Sequence, residues 1–214
     1  MRSSKTAKGF TMIELVVTMA ILAILVALAV PSFESVFNSN RLTSTANEIL
    51  SGIQSARMEA VRRNARAGFC FTDAPDAATP ACTNNQGAWR GYIVFADDGG
   101  CIQQTTAAGV GGCNLANRNN GDLDGNETAI RTGTFPQRVQ IFVSNNINVA
   151  TPAVIFRGDG FAKLGADSSL LNGTIRACIP TTQPPNNRRD VVIANGSQTR
   201  VLPASSGAGA CNAP

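Results

Sequence analysis

Hydrophobic and polar positions divide the chain into regions of different periodicity. Residues 10–30 are apolar almost without a break, and Glu14 is their only charged side chain. As a helix rising about 1.5 Å per residue, this run is about 30 Å long, the thickness of a bilayer's hydrocarbon core. Beyond Pro31, the residues Leu42, Ala46, Ile49, Leu50, Ile53, Ala56, Ala60 and Val61 recur at three- and four-residue steps, while Arg41, Asn47, Ser51, Gln54 and Arg62 hold the other positions. This spacing predicts an amphipathic helix with one apolar stripe able to pack on a sheet. Proline has no amide donor and crowds the carbonyl four residues earlier, so Pro31 is expected to kink or loosen the helix. The pattern on both sides predicts one long helix over about residues 11–64.

After Arg66 the pattern changes to short apolar runs separated by Gly, Asn and Pro. Strands are predicted at 68–72, 91–96, 128–131, 139–144, 153–157, 174–179, 190–194 and 198–202. No helical pattern intervenes to carry parallel crossovers, so hairpins and antiparallel pairing are expected. Asn195-Gly196 is a tight-turn signal, because both residue types accept positive φ. The fold class is α+β: a long N-terminal helix, transmembrane then amphipathic, packed on a mainly antiparallel β-sandwich or sheet head.

Composition narrows the function. The 214 residues, 43% hydrophobic and 15% charged, suit one ordinary globular domain plus an N-terminal segment. The net charge of +4 owes much to Arg2, Lys5 and Lys8, which precede the apolar run; the rest of the chain carries 15 basic and 14 acidic side chains. Bulk charge therefore lends little support to nucleic-acid binding. The basic leader instead favours a cytoplasmic N-terminus, with everything after Pro31 on the other side of the membrane. The chain contains no His, which removes Ser-His and Cys-His catalysis and every His-containing zinc site. Beyond the leader Lys163 is the sole Lys, and no Gly-rich loop resembles a phosphate cradle. No enzyme and no cofactor are expected.

The six cysteines, Cys70, Cys82, Cys101, Cys113, Cys178 and Cys211, lack close C-x2-C spacing. An even number beyond a membrane-directing segment reads as disulfides in an oxidising compartment. The economical pairing is sequential, Cys70 with Cys82, Cys101 with Cys113 and Cys178 with Cys211, among fifteen arrangements that sequence permits. Buried free thiols are the alternative.

Lys8-Gly9-Phe10-Thr11-Met12-Ile13-Glu14 resembles the class III leader motif of type IV pilins and type II secretion pseudopilins. The resemblance implies that prepilin peptidase cuts after Gly9 and methylates the new N-terminal Phe10. It also implies that Glu14 meets the N-terminal ammonium of a neighbouring subunit during assembly, with Phe10 and Pro31 framing the assembling segment. A carboxylate in hydrocarbon is costly enough to need such a partner; the alternative is an anchor whose Glu14 snorkels to the interface. Further along, "ARMEAVRRN" (56–64), "AWRGYIVFADD" (88–98), "NGDLDGNETAIR" (120–131) and "VIFRGDGFAKLG" (154–165) resemble the GspH/FimT-like minor pilins and pseudopilins. The expected organisation is a leader at 1–9, a pilin helix at 10–66 with 10–30 in the membrane, a β-rich head at 67–202 and a tail at 203–214. Residues 99–119 look inserted, and the tail is expected to be loose and tied by Cys211.

A minor type IV pilin incorporated at or near the filament tip to prime assembly is the function that the resemblance implies. Its partners would be major and minor pilins, the prepilin peptidase and the inner membrane, with the head in the periplasm before assembly. A type II secretion minor pseudopilin is the alternative from the same stem. A third reading is a DNA-binding pilin for natural transformation, as some FimT-like relatives bind DNA through a Gly-Arg-x-Arg motif. Only Gly196 and Arg200 match it here. A two-residue turn at Asn195-Gly196 would set Arg200 opposite Val191 and place Arg189 on the same face, with Arg188 close by, as a set of phosphate contacts; the plain alternative is a charged edge that discourages strand addition. Finally, Asn120, Asp122, Asp124, Gly125 and Asn126 approximate the start of an EF-hand loop, but Arg131 takes the twelfth position, where a bidentate Glu is needed. A polar turn is expected there, and no metal.

Overall fold

The computed structural model describes residues 9–99, 120–124, 127–147, 153–164 and 169–214, excluding the side chains of 28–32. Helix α1 runs from Met12–Arg63. Thr11 caps its start, its side chain accepting from the Glu14 amide, and Asn64 ends it in the left-handed region at φ 48°. The helix assignment passes through Pro31, so the proline does not terminate it.

Among the described residues eight strands follow: β1 Arg66–Thr72, β2 Gly91–Asp97, β3 Ala129–Thr134, β4 Gln140–Val143, β5 Ala153–Phe156, β6 Gly173–Cys178, β7 Arg188–Ala194 and β8 Gln198–Val201. All eight overlap the runs predicted from sequence. They form two four-stranded sheets, in the order β3-β2-β1-β5 and β4-β6-β7-β8. Every described strand pairing is antiparallel. The hairpin reading accounts for β1-β2, β6-β7 and β7-β8. The β1-β5 and β4-β6 pairings join distant segments and have no local signal.

The last hairpin departs from the expected register. Asn195 and Gly196 both have positive φ, 51° and 66°, as the turn requires. Yet Ala194 pairs with Gln198, so Ser197 is an extra loop residue and Arg200 pairs with Val192 instead of Val191. A one-residue slip moves a side chain to the other face of a sheet.

The apolar stripe of α1 lies across both sheets, packing against β1, β2 and β5 of one and β6, β7 and β8 of the other. Leu42, Ala46, Ile49, Ile53, Ala56 and Ala60 are buried in the common core with Phe69, Phe71, Tyr92, Ile141, Ile175, Val191 and Ile193. Gly52 lets the helix approach closely, since a Cβ there would lie 2.6 Å from the Phe69 ring. Val61, expected in the stripe, is instead 52% exposed. It lies in the last turn of α1, beside the loop at Gly160 instead of over a strand. Both faces of β1 and β2 are covered, because a second cluster of Cys70, Ile93 and Phe95 packs with Leu123 and Ile155 on the side away from α1. That explains why "GFCFT" and "GYIVFA" read as continuous apolar runs without alternation.

Cys70 is bonded to Cys82 and Cys178 to Cys211; the Cys101 and Cys113 pairing lies outside the described residues. The C-terminal tail is not loose. Ser205 and Arg188 exchange both backbone hydrogen bonds, the Gly207 amide donates to Asn187 Oδ1 at 2.7 Å, and the Arg188 guanidinium donates to the Ala210 carbonyl. The segment follows β8 past its end and pairs with the start of β7, which satisfies backbone groups that an open edge would leave to water. Replacing Cys178 and Cys211 together by Ser is expected to cost about 2–4 kcal/mol by freeing the loop they close in the unfolded chain. Urea unfolding with and without reductant measures it; wild-type protein losing no stability on reduction would contradict it.

Candidate functional site

Three regions hold the residues singled out from sequence: the exposed part of α1, the junction of α1 with the head, and the polar ends of the sheets. In the first, Phe10, Met12, Ile13, Leu15, Val16, Val17, Met19, Ile21, Leu22, Ile24, Leu25 and Val26 are all exposed, and the exposed apolar surface resumes at Phe33, Val36 and Phe37. A surface of this extent on a soluble protein marks a contact with another protein or a membrane. Glu14 sits in the first turn of α1, where a carboxylate suits the helix dipole. Its side chain has no hydrogen bond or ion pair among the described residues. Within the fully described residues no helical stretch is long and apolar enough to cross a membrane. The part of the apolar run with described side chains stops at residue 27, short of the 10–30 run read from sequence.

At the junction, polar bonds fix how the stem leaves the head. Asn38 is buried and donates from Nδ2 to the Gln183 carbonyl at 2.9 Å. Arg189 donates to Thr43 Oγ1 at 3.2 Å. Higher on the helix, Tyr92 Oη donates to Glu48 Oε1 at 2.5 Å, and Arg131 donates to the same oxygen at 2.9 Å and to Ser51 Oγ at 3.2 Å. Burial, followed by the Glu48 hydrogen bond, raises the Tyr92 phenol above its ordinary range and keeps it a donor. This cluster locks β2 and the edge strand β3 onto α1. Sequence reasoning missed it, and considered Arg131 only as the wrong residue for a calcium loop. The available signal was that Tyr92 is the chain's one tyrosine, placed in a strand beside a helix bearing Glu48 and Ser51 three residues apart.

Below this junction a groove of about 460 Å³ opens beside α1, lined by Glu34, Arg90, Gln137, Arg138 and Pro180 among others. Arg138 reaches Glu34 at 3.6 Å across it, and both side chains are substantially exposed. An ion pair of that length and exposure contributes little stability.

At the opposite end of the head, the expected polar turn is present. The Asp122 amide donates to Asn120 Oδ1, and Asn120 Nδ2 donates to Asp124 Oδ2. Buried Asp97 accepts from the amides of Asn120 and Gly121, and Glu127 accepts from those of Gly99 and Asp124. These acceptors shape the loop. No group of His, Cys, Asp and Glu among the described residues is arranged to hold a metal ion; Gly125 and Asn126 lie outside the described residues.

Burial raises the Glu127 carboxyl to about 7, against the lowering effect of the two amides. Its folded pKa exceeds its unfolded one, so its contribution to stability is complete below the unfolded pKa and is lost as pH rises from about 4.5 to about 7. Glu127→Gln is therefore expected to flatten that slope. The effect is about 1–2 kcal/mol once screening at this partly exposed group is allowed for. Melting curves at pH 5 and pH 8 measure it, and identical pH slopes for the two proteins would refute it.

The arginines proposed as phosphate contacts do not converge. The register puts Arg200 beside Val192, on the face that carries Asp190 and Arg188, whereas Arg189 alternates to the face of Val191 and Ile193 and points to α1. Arg188 is tied to the Ala210 carbonyl. The neighbouring Arg176 makes a two-pronged pair with Asp190 at 2.7 and 2.8 Å, and this hydrogen bonding raises its pKa further. The extra residue Ser197 is the physical reason for the separation.

Residues 45–197, most of the chain, match the profile described as type II transport protein GspH. The chain belongs to the GspH family. A prokaryotic N-terminal methylation motif also matches, over residues 4–30. No curated protein matches the sequence. Among solved structures, the type IV minor pilin FimU of Pseudomonas aeruginosa has 14% identity over 76% of this chain and 93% of its own, with a TM-score of 0.42. The minor pseudopilin EpsH from the type 2 secretion system of Vibrio cholerae has 10% identity over 76% and 96%, with a TM-score of 0.43. E. coli GspH has 11% identity over 78% and 90%, with a TM-score of 0.44. The chain is thus a GspH-family protein that also carries an N-terminal methylation motif.

Proposed function

We propose that this GspH-family chain is a minor type IV pilin. Prepilin peptidase cleaves after Gly9 and methylates Phe10, residues 10–30 hold the subunit in the inner membrane with its head in the periplasm, and the processed subunit enters the filament at or near the tip to prime assembly. The observation that carries this reading is the exposed apolar stem, headed by Glu14, whose side chain has no partner among the described residues, projecting from a head that has its own core. Hydrocarbon or the stems of other pilins would cover that surface, and a neighbour's terminal ammonium would neutralise the carboxylate. A periplasmic type II secretion pseudopilus is the second reading, favoured by the family's own description. The test of processing is intact-mass spectrometry of the protein from its native membrane. A mass beginning at methylated Phe10 is expected, and one beginning at unmodified Met1 would overturn the proposal. Recovery in sheared surface fibres, against retention in the periplasm, separates the pilus from the pseudopilus.

A further inference from the structure

The groove at Arg90 and Arg138 lies at a definite height on the stem. Val30 ends the apolar run and Glu34 follows four residues later, a rise of about 6 Å along the helix. The headgroup layer on each side of a hydrocarbon core is about 5–7 Å thick. Arg138 contacts Glu34 at 3.6 Å, which places its guanidinium at that level, and Arg90 lines the same groove. The proximal segments of the head, at 87–90, 136–140 and 179–181, surround the opening. From these placements we infer that the groove takes a phospholipid headgroup of the leaflet in which the stem is anchored, with Arg90 and Arg138 on the phosphate. The inference rests on the anchoring of α1 proposed above.

Chemistry and space agree with this occupant. Guanidinium groups match phosphate oxygens in planar, two-pronged geometry, and basic pockets beside membrane helices hold lipid headgroups in this way. The side chain of Arg90 has no hydrogen bond or ion pair among the described residues. Among the described residues Arg138 has only its long contact with Glu34, which a phosphate can displace. Among the described residues Glu34 is the one acid lining the groove; Asp73 and Asp76 stand in the same β1-β2 loop as Arg90, and Asp73 accepts from Asn85. A volume of about 460 Å³ accommodates a headgroup without rearrangement. Exposed Phe33 and Phe37 on the adjoining turns of α1 present apolar surface at the same boundary.

The test uses the full-length chain, first in dodecyl maltoside and then in phosphatidylglycerol nanodiscs. Amide exchange at 86–90 and 137–140 is expected to slow about threefold or more in the discs. Arg90→Glu with Arg138→Glu should remove that protection while the chain stays in the disc, and Glu34→Gln should strengthen it. A chain retained in discs with unchanged exchange would overturn the headgroup site alone. A chain that is not retained would overturn the anchor as well. Equal slowing by inorganic phosphate in maltoside would point to a soluble-anion site, and slowing that grows with protein concentration would point to a second copy; either replaces the proposal.

Discussion

Glu14→Gln is expected to lower the amount of this subunit in sheared filaments about tenfold or more, with the head's melting temperature unchanged. The carboxylate lies in the first turn of α1, among exposed apolar side chains and with no partner in its own chain among the described residues. In hydrocarbon a charged side chain costs a few kcal/mol, and about 1.4 kcal/mol is a factor of ten in an equilibrium, so a cationic partner in the assembled state has a large effect. The amide keeps size and hydrogen-bonding capacity and removes only the charge. It also makes membrane insertion easier, so a loss from filaments with full membrane abundance isolates the assembly step. Immunoblots of the sheared and membrane fractions measure both quantities. Wild-type amounts of the variant in filaments would leave the carboxylate without its assigned role.

The second large effect lies in the head. Phe69→Ala is expected to destabilise it by about 3–5 kcal/mol, lowering the melting temperature by about 10 °C. Phe69 is fully buried beneath Gly52 of α1, stacks on Tyr92 at 5.1 Å and meets Phe71 edge-on at 5.2 Å. Its removal opens a cavity where helix and sheet are closest, and the backbones on both sides are held by hydrogen bonds that resist collapse. Thermal melts followed by near-ultraviolet circular dichroism report the loss of aromatic packing. A shift of less than about 2 °C would mean that the site relaxes fully and that the helix does not depend on this contact.

These outcomes separate two kinds of information in the chain. The stem and the eight strands were legible because their signals are local: a period of three to four residues over 42–60, an unbroken apolar run over 10–30, and short β-rich segments between turn residues. The motif around Gly9, Phe10 and Glu14 was legible for the same reason, since its residues are contiguous. The end of the apolar stripe was not. Val61 continues the helical period, but whether a strand lies beneath it depends on where the sheets stop.

The polar constellations were least legible. Glu48, Tyr92 and Arg131 come from three separate elements and meet only because α1 packs on β2 and β2 pairs with β3. The tail looked loose because its composition is small and polar, while its partners, Arg188 and Asn187, lie about 20 residues away. Arg189 and Arg200 looked like neighbours until Ser197 displaced the register.

By itself the sequence determined the helix, its apolar and amphipathic parts, the positions of the described strands and the N-terminal methylation motif at the head of the stem, because each follows from side chains within a few turns or one strand of each other. Only the tertiary structure decided which strands pair, which arginines share a face, how the tail is held and where a groove opens beside the stem. Long-range pairing and register depend on loop lengths and on competition for one core, and a single extra residue in a turn reverses which side chains meet.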